Sequence, residues 1–410
     1  MNRLSLPDMT TVALTTPPQS QHRFALNPEL SGFECISCNL VLEIRDFPEG
    51  CPACLARGEP STVRSRFRSQ PTEVADPSRQ RMQRYEAWMP YAAWISLGEG
   101  GTPCTSFPAL AEELRVGAIH IKNEGLNPSG SHKDRTNCLA VTRALHIGAA
   151  GIVAASSGNG GASLALYAAA AGLRCRIVVT PTLSPIFRRA ITATGAEILE
   201  VSDSLDRWRR VADLSRNEGW FAATNYLNPP VGSNHFGLDG LKTVAYEMFE
   251  ELGPALVDAI LVPTSRGDLI WGLYEGFRDL RALGLTRAIP RLYAVEPFAR
   301  ISEVLAGAPV TGYFPGTTQL ASIGGSTVTY QAVTAIRASG GGAVVVDDGA
   351  VARDQTRLAH HGCFAESSSS ASLTALERLR AQGGVSSDET VALLITSNGY
   401  KDVPKGGGWS

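Results

Sequence analysis

Short apolar runs recur along most of this chain, each followed by a stretch with helical spacing, and few architectures tolerate that alternation. Residues 151–155 (GIVAA), 176–180 (RIVVT), 259–263 (AILVP) and 391–395 (VALLI) are apolar at almost every position. Residues 118–122, 197–201, 291–295 and 343–346 complete the set. Successive side chains of a strand point to opposite faces, so a continuous apolar run is covered on both. Helical patterns fill the gaps, over 137–146, 163–171, 185–194, 205–217, 238–251 and 269–283. The pattern predicts an α/β fold with parallel sheets and helices on both sides.

The chain has 410 residues, enough for two or three domains. Its formal net charge of −2 gives no reason to expect a nucleic-acid partner or an anionic membrane surface. No apolar run reaches the length of a membrane span. Residues 1–21 are rich in Ser, Thr, Pro and Gln and lack the apolar segment of a secretory signal. They read as part of a flexible tail over 1–30. A cytoplasmic protein is expected.

The cysteines fall into two sets. Cys104, Cys138, Cys175 and Cys363 are scattered and read as small core residues. Cys35, Cys38, Cys51 and Cys54 form C-x2-C-x12-C-x2-C. In a reducing compartment this spacing indicates a metal site rather than two disulfides. Two short loops can set four thiolates tetrahedrally around Zn(II), and with all four positions filled the ion is structural. A zinc ribbon over 31–57 is predicted, with Phe33, Leu40 and Phe47 as its small apolar core. Residues 58–84 are polar and Arg/Ser-rich and read as a linker. Residues 85–94 are aromatic and are expected to dock on the main body, so that 58–95 forms a linker and docking segment.

The chemistry concentrates at Asn127-Pro-Ser-Gly-Ser-His-Lys133-Asp-Arg135. Alone, Lys133 would be a lysine in a surface turn. Its surroundings argue otherwise, because a Gly/Ser loop carries it straight into a helical pattern. A second loop, Ala155-Ser-Ser-Gly-Asn159-Gly-Gly161, also joins a strand to a helix. One lysine near two helix N-termini suits an anionic cofactor that bears a carbonyl, such as pyridoxal phosphate.

With these residues in view, the chain resembles the fold-type II pyridoxal-phosphate enzymes, and within them the threonine synthase-like branch with an N-terminal zinc ribbon. The resemblance spans about 33–402 and rests on motifs in the same order. Leu97-Gly-Glu-Gly-Gly-Thr102-Pro is similar to LGEGxTPL, with Cys104 where Leu is usual. Ser131-His-Lys-Asp-Arg135 is similar to SFKDR, Ser156-Ser-Gly-Asn159 to S-x-G-N, and Asp239-Gly-Leu-Lys-Thr243 to EGxKT. Thr396-Ser-Asn-Gly-Tyr-Lys401-Asp402 is similar to TGxGLKD. The resemblance implies a tryptophan synthase β-like fold with two parallel-sheet domains. The catalytic region is expected over 96–405, with a smaller α/β subdomain at about 136–235.

The resemblance also implies roles. Lys133 would carry the cofactor and move protons. Asn159 would hydrogen-bond the cofactor's phenolic oxygen. Thr396 would face the pyridine nitrogen, where a hydroxyl cannot form the charge pair a carboxylate would. That weakens the electron sink and suits elimination or replacement better than transamination. Ser156, Ser157 and Gly158 would grip the substrate carboxylate, and Ser131 joins that substrate set. Glu366 matches an acidic residue beneath the ring, or is simply a charge at a helix N-terminus.

Three departures bear on substrate. The phosphate loop, Gly/Asn-rich in the family, here reads Thr264-Ser265-Arg266-Gly267-Asp268. Thr264, Ser265, Arg266 and Gly267 can still bind the cofactor phosphate ahead of a helix, but Asp268 opposes an anion unless it faces away. Second, threonine synthases commonly carry a phosphate-binding arginine after Asn228-Pro229. This chain has Pro230-Val231 and an inserted Gly232–Gly237 stretch. Arg266 or His235 could compensate. Third, His132 replaces Phe, as a packed ring or as a group that shifts local protonation.

The expected activity is β- or γ-elimination or replacement on an activated amino acid, with O-phosphohomoserine to threonine as the leading single reaction. The alternative is a threonine synthase-like amino-acid synthase that takes another activated amino acid and an external nucleophile. A third reading, an inactive zinc-binding scaffold, is disfavoured by the retention of Lys133, Asn159 and Thr396. The expected partners are a small-molecule amino-acid substrate and a second copy of the chain in a homodimer.

Overall fold

A computed structural model of the chain describes residues 24–402. Most of the expected 1–30 tail, the absence of a signal segment, and the end of the 96–405 region therefore lie outside the described residues. Residues 24–30 are tied down. Leu26 bridges Tyr91, and Asn27 donates from Nδ2 to Met89 O at 3.0 Å.

Three sheets organise the described residues. The largest has the order β12-β11-β10-β13-β5-β4, made of β4 (Cys104–Ser106), β5 (Ala118–Asn123), β10 (Ala259–Pro263), β11 (Arg291–Glu296), β12 (Gly342–Val345) and β13 (Thr390–Ile395). All its pairings are parallel except β4 with β5. A second, fully parallel sheet has the order β8-β7-β6-β9, with β6 (Gly151–Ala155), β7 (Cys175–Val179), β8 (Glu197–Glu200) and β9 (Trp220–Ala222). Residues of β6 and β10 are buried at every position, as the unbroken apolar runs require.

The third sheet corrects the sequence reading. β1 (Leu30–Cys35) pairs antiparallel with β2 (Val41–Leu42) on one side and with β3 (Val63–Phe67) on the other. Residues 63–67 were expected in a linker, because the run Val-Arg-Ser-Arg-Phe is polar at its centre. They form an edge strand in which Arg64 pairs with Glu34 at 2.6 Å and reaches Glu275 at 3.7 Å, while Arg66 is exposed. The small module therefore extends ten residues past 57, and its core also differs. Phe33 and Phe47 are buried and meet edge to face at 6.1 Å, whereas Leu40 is 40% exposed. The aromatic segment does dock, with Tyr85, Trp88, Tyr91 and Trp94 all buried.

The loops that matter leave the C-terminal ends of strands, where ligands of open α/β sheets collect. In the large sheet β10, β13 and β5 are adjacent, so the loops after Pro263, Ile395 and Asn123 converge. The loop after β6 arrives from the smaller sheet.

Candidate active site

Lys133 is the first residue of the Lys133–His146 helix, four positions earlier than the pattern suggested. Gly130, at φ +79°, makes the turn into it, and a Cβ there would come within 2.3 Å of the Asn398 amide nitrogen. The Asp134 carboxylate closes the same turn by accepting from Ser129 N at 2.7 Å. Lys133 Nζ forms no hydrogen bond or ion pair among the described residues. Burial lowers its pKa; Asp268 opposes that shift and Arg266 adds to it. A lysine held this way is readily a free amine, the form that attacks a carbonyl.

His132, beside it, is also shifted well below its usual range, by burial first and then by the Lys133 charge. Its Nδ1 lies 3.2 Å from Thr396 O, and its backbone N donates to the same carbonyl at 3.0 Å. A carbonyl can only accept, so Nδ1 carries the proton. The ring is a neutral strut between the lysine turn and the end of β13.

The other predicted residues converge from three loops. Asn159 begins the Asn159–Ala170 helix. Its Nδ2 donates to Glu366 Oε2 at 2.6 Å, and its Oδ1 accepts from Lys401 Nζ at 2.5 Å and Ser397 Oγ at 3.3 Å. These contacts fix the amide orientation and leave one N–H free for a ligand oxygen. Glu366 also accepts from Ser322 Oγ, so it is a buried acceptor that positions Asn159. Thr396 Oγ1 lies 2.8 Å from Ser369 Oγ, which itself accepts from Ser397 N at 3.0 Å.

Ser156 Oγ accepts from Gly161 N at 2.9 Å, and Ser157 Oγ accepts from Thr180 N at 3.4 Å. With Gly158 they precede the Asn159–Ala170 helix, whose first N–H groups lack intrahelical acceptors. Ser131 is fully buried and bridges Ser397, so it buttresses the turn.

Thr264, Ser265, Arg266 and Gly267 make the turn from β10 into the Asp268–Ala282 helix. Gly267 has φ +93°, and a Cβ there would meet Ala332 Cβ at 2.3 Å. Asp268 is held by Ser233 Oγ at 2.6 Å and Gln331 Nε2 at 2.7 Å, which answers part of its charge. The inserted Gly232–Gly237 stretch thus supports the turn through Ser233. Arg300 is fully buried beneath it and donates to the carbonyls of Ser265 (2.5 Å), Thr264 and Ile323 (2.9 Å). With those carbonyls tied inward, a helix N-terminus follows a tight glycine turn, and that donor set fits a phosphate.

His235 is not in this cleft. It is buried against the N-terminal module, 4.5 Å from the Phe33 ring, with Nε2 3.3 Å from Arg45 O and a pKa lowered to about 4 by burial. It cannot supply a cation to the pocket. Val231 is also turned toward that module, since a Cβ on Gly50 would meet Val231 Cγ2 at 2.4 Å. Lys401, Arg300 and Ser369 were missed by sequence reasoning. Lys401 stood in a quoted motif without a role, and the other two carried no local signal.

In the N-terminal module the sulfurs of Cys35, Cys38, Cys51 and Cys54 all lie within 4.8 Å of one another. Cys35–Cys54 is 3.6 Å and Cys38–Cys51 3.7 Å. A tetrahedral zinc with bonds of about 2.3 Å has sulfur–sulfur edges of about 3.8 Å. Ser37 N and Cys38 N also point at Cys35 Sγ, at 3.4 and 3.5 Å.

The family profile described as "Pyridoxal-phosphate dependent enzyme" matches residues 95–397. The threonine synthase of Methanosarcina acetivorans is 30% identical over 317 residues, covering 75% of this chain and 76% of that protein. That of Mycobacterium tuberculosis is 31% identical over 333 residues, 79% of this chain and 87% of its own. Among solved structures, maize serine racemase superposes with a TM-score of 0.63 at 20% identity, over 74% of this chain and 89% of that one. An O-ureido-L-serine synthase gives 0.60 at 23%, over 73% and 90%.

Proposed function

Because the chain belongs to the pyridoxal-phosphate-dependent enzyme family, we propose that it catalyses elimination or replacement at the β- or γ-carbon of an activated amino acid, as a threonine synthase does. The observation that carries this reading is the unpaired, half-buried Lys133 amine at the meeting point of the Ser156–Asn159, Thr264–Gly267 and Thr396 loops. Bound there, pyridoxal phosphate would supply an electron sink for bonds at the substrate's α-carbon. The chain's own residues supply the rest. Lys133 Nζ anchors the cofactor and then takes and returns protons. The Thr264–Gly267 turn holds the phosphate, with Arg300 fixing the turn from below. Glu366 and Lys401 aim the free N–H of Asn159. The Thr396 hydroxyl gives a neutral contact, which favours elimination and replacement over transamination. Ser156, Ser157 and the following N–H groups hold the substrate carboxylate.

O-phosphohomoserine is the leading substrate, because the relatives at about this identity are threonine synthases. A different activated amino acid is the second reading, favoured by Val231 standing where a phosphate-binding arginine is expected. Incubating the holoenzyme with O-phosphohomoserine and a panel of O-acyl amino acids, read by mass spectrometry, separates them. Threonine should form from the phosphate ester; no threonine, with another product from an acyl ester, favours the second reading. The same proposal assigns a structural zinc to the four cysteines and the catalytic work to residues 96 onward.

A further inference from the structure

A cavity of about 250 Å³ lies between β3 of the N-terminal module and the catalytic region, and none of the residues assigned above to cofactor or substrate lines it. β3 closes one side. Asp239, Lys242 and the Asp268–Ala282 helix, through Glu275, Arg278 and Asp279, form the other. Ser65 donates to Asp239 Oδ2 and so pins the strand to that wall. Phe67 and Trp88 add apolar surface, with Lys242 Nζ 5.7 and 5.9 Å from their ring centres.

Most charges around the cavity are answered. Asp279 accepts from Tyr246 at 2.7 Å and pairs with Lys242 at 3.1 Å. Arg64 is held by Glu34 at 2.6 Å. Two groups keep an open valence. Glu275 is 4% exposed, and its Oε2 pairs with Arg278 at 2.8 Å. Its Oε1 is buried without a hydrogen bond and lies 3.7 Å from Arg64 Nη1. Burial pushes the Glu275 pKa up to about 7 in spite of Arg278 and Arg64, so the carboxylate is under-compensated. A buried acceptor without a donor is costly, and a donor brought from outside relieves that cost. Arg66 also lines the cavity but is exposed, and its guanidinium has no hydrogen bond or ion pair among the described residues.

We propose that this cavity is a second binding site, for the zwitterion of a free α-amino acid, with the ligand's ammonium on Glu275 Oε1 and its carboxylate on Arg66. The class follows from the two open valences. One is a buried anionic acceptor, and the other is a guanidinium fork that matches the two oxygens of a carboxylate. The lining otherwise balances, with Glu34, Asp239, Glu275 and Asp279 against Arg64, Arg66, Lys242 and Arg278. A ligand of zero net charge keeps that balance, and a simple ion would not. Phe67 and Trp88 can take the apolar part of its side chain. The site does not rest on the reaction proposed above, but its walls lead to the active site. Gly240 packs so tightly on Arg135 O that no Cβ fits there, and the helix that carries Glu275 begins at the Thr264–Gly267 turn.

The test is thermal-shift screening of borohydride-reduced holoenzyme with each of the common L-amino acids, followed by calorimetric titration of those that raise Tm. Reduction fixes the cofactor, so an amino acid cannot displace Lys133 from it. At least one amino acid should bind. Its N-acetyl and carboxamide forms, which each lack one charge, should bind about ten- to a hundredfold more weakly, the worth of one charged hydrogen bond. Glu275→Gln and Arg66→Gln should each weaken binding by a similar factor while keeping the cofactor absorbance. Arg66 is exposed, so its variant folds even if Glu275→Gln does not. If no amino acid binds, the site is overturned. Binding that either variant leaves unchanged also overturns it, and so does binding that survives capping of the ammonium or the carboxylate. A chain on which borohydride fixes no pyridoxyl group counts against the cofactor reading alone, and the same titrations still decide the site.

Discussion

Arg135→Met should destabilise the catalytic region by about 3–5 kcal/mol, the usual cost of leaving buried carboxylates without their cation. Arg135 is fully buried. It donates from Nε to Glu124 Oε2 at 2.7 Å and from Nη2 to Glu124 Oε1 at 2.8 Å. It also meets both oxygens of Glu247, from Nη1 at 2.7 Å and Nη2 at 2.6 Å. Glu247 would keep Lys122, 2.8 Å away, but Glu124 would keep only the neutral Thr102 and Asn127. With an unfolding entropy of about 2.1 cal/mol/K per residue over roughly 300 residues, the loss corresponds to a Tm lower by about 5–8 °C. The pH dependence has a definite sign. Burial alone would raise the Glu247 pKa, but Arg135 and Lys122 hold it well below the usual carboxylate range. Its contribution is therefore present at neutral pH and lost only as pH falls through that depressed value. In the variant the carboxylates can take protons, so the deficit should shrink between about pH 8 and about pH 5. Thermal unfolding followed by tryptophan fluorescence at both pH values measures this, with Arg135→Met/Glu124→Gln expected to recover part of the loss. A Tm within about 1 °C of wild type at the higher pH, or a deficit equal at both, would refute the reasoning.

Three further outcomes are expected. Cys35→Ser should lower stability and solubility while the folded fraction keeps its cofactor absorbance; native protein without zinc on metal analysis would contradict the structural site. Burial lowers the Lys401 pKa to about 8 against the attraction of Glu366, Asp134 and Asp402. Its charged bond to Asn159 is therefore present below about 8, so kcat should decline above that pH and the decline should move upward in Lys401→Arg. Stability should respond oppositely, rising through the same window as the cost of burying the charge is relieved; a kcat profile identical in the variant would remove Lys401 from this role. Val231→Arg, which places an arginine where one was expected from threonine synthases, should lower Tm through crowding against Gly50 and should not tighten O-phosphohomoserine binding; tighter binding at unchanged Tm would show that position 231 does reach the pocket.

The sheet-forming half of the fold was legible because burial on both faces writes an unbroken apolar run into each central strand. β6, β7, β10 and β13 all stand within a residue of their expected positions. Strands without that signature were missed. β3 is half polar at the edge of a small sheet, and β9 is three residues long. The candidate residues stood out in the sequence where they lie at or beside a turn next to a strand or helix end, as Lys133, Asn159 and Thr396 do. The site was not legible where support comes from far along the chain. Arg300 reaches back 35 residues to the Thr264–Gly267 turn, and Ser369 meets Thr396 across 27. His235 was misplaced because its place in the inserted stretch was read as nearness to the pocket; tertiary packing sends it to Phe33 instead.

The central claim is that Lys133 carries pyridoxal phosphate in the cleft between the two parallel sheets. Borohydride trapping of the holoenzyme, followed by proteolysis and peptide mass spectrometry, tests it directly. The account predicts a single pyridoxyl group on the peptide that contains Lys133, and none in Lys133→Ala. A label on Lys122, Lys242 or Lys401, or a wild-type protein that takes up no label, would contradict it.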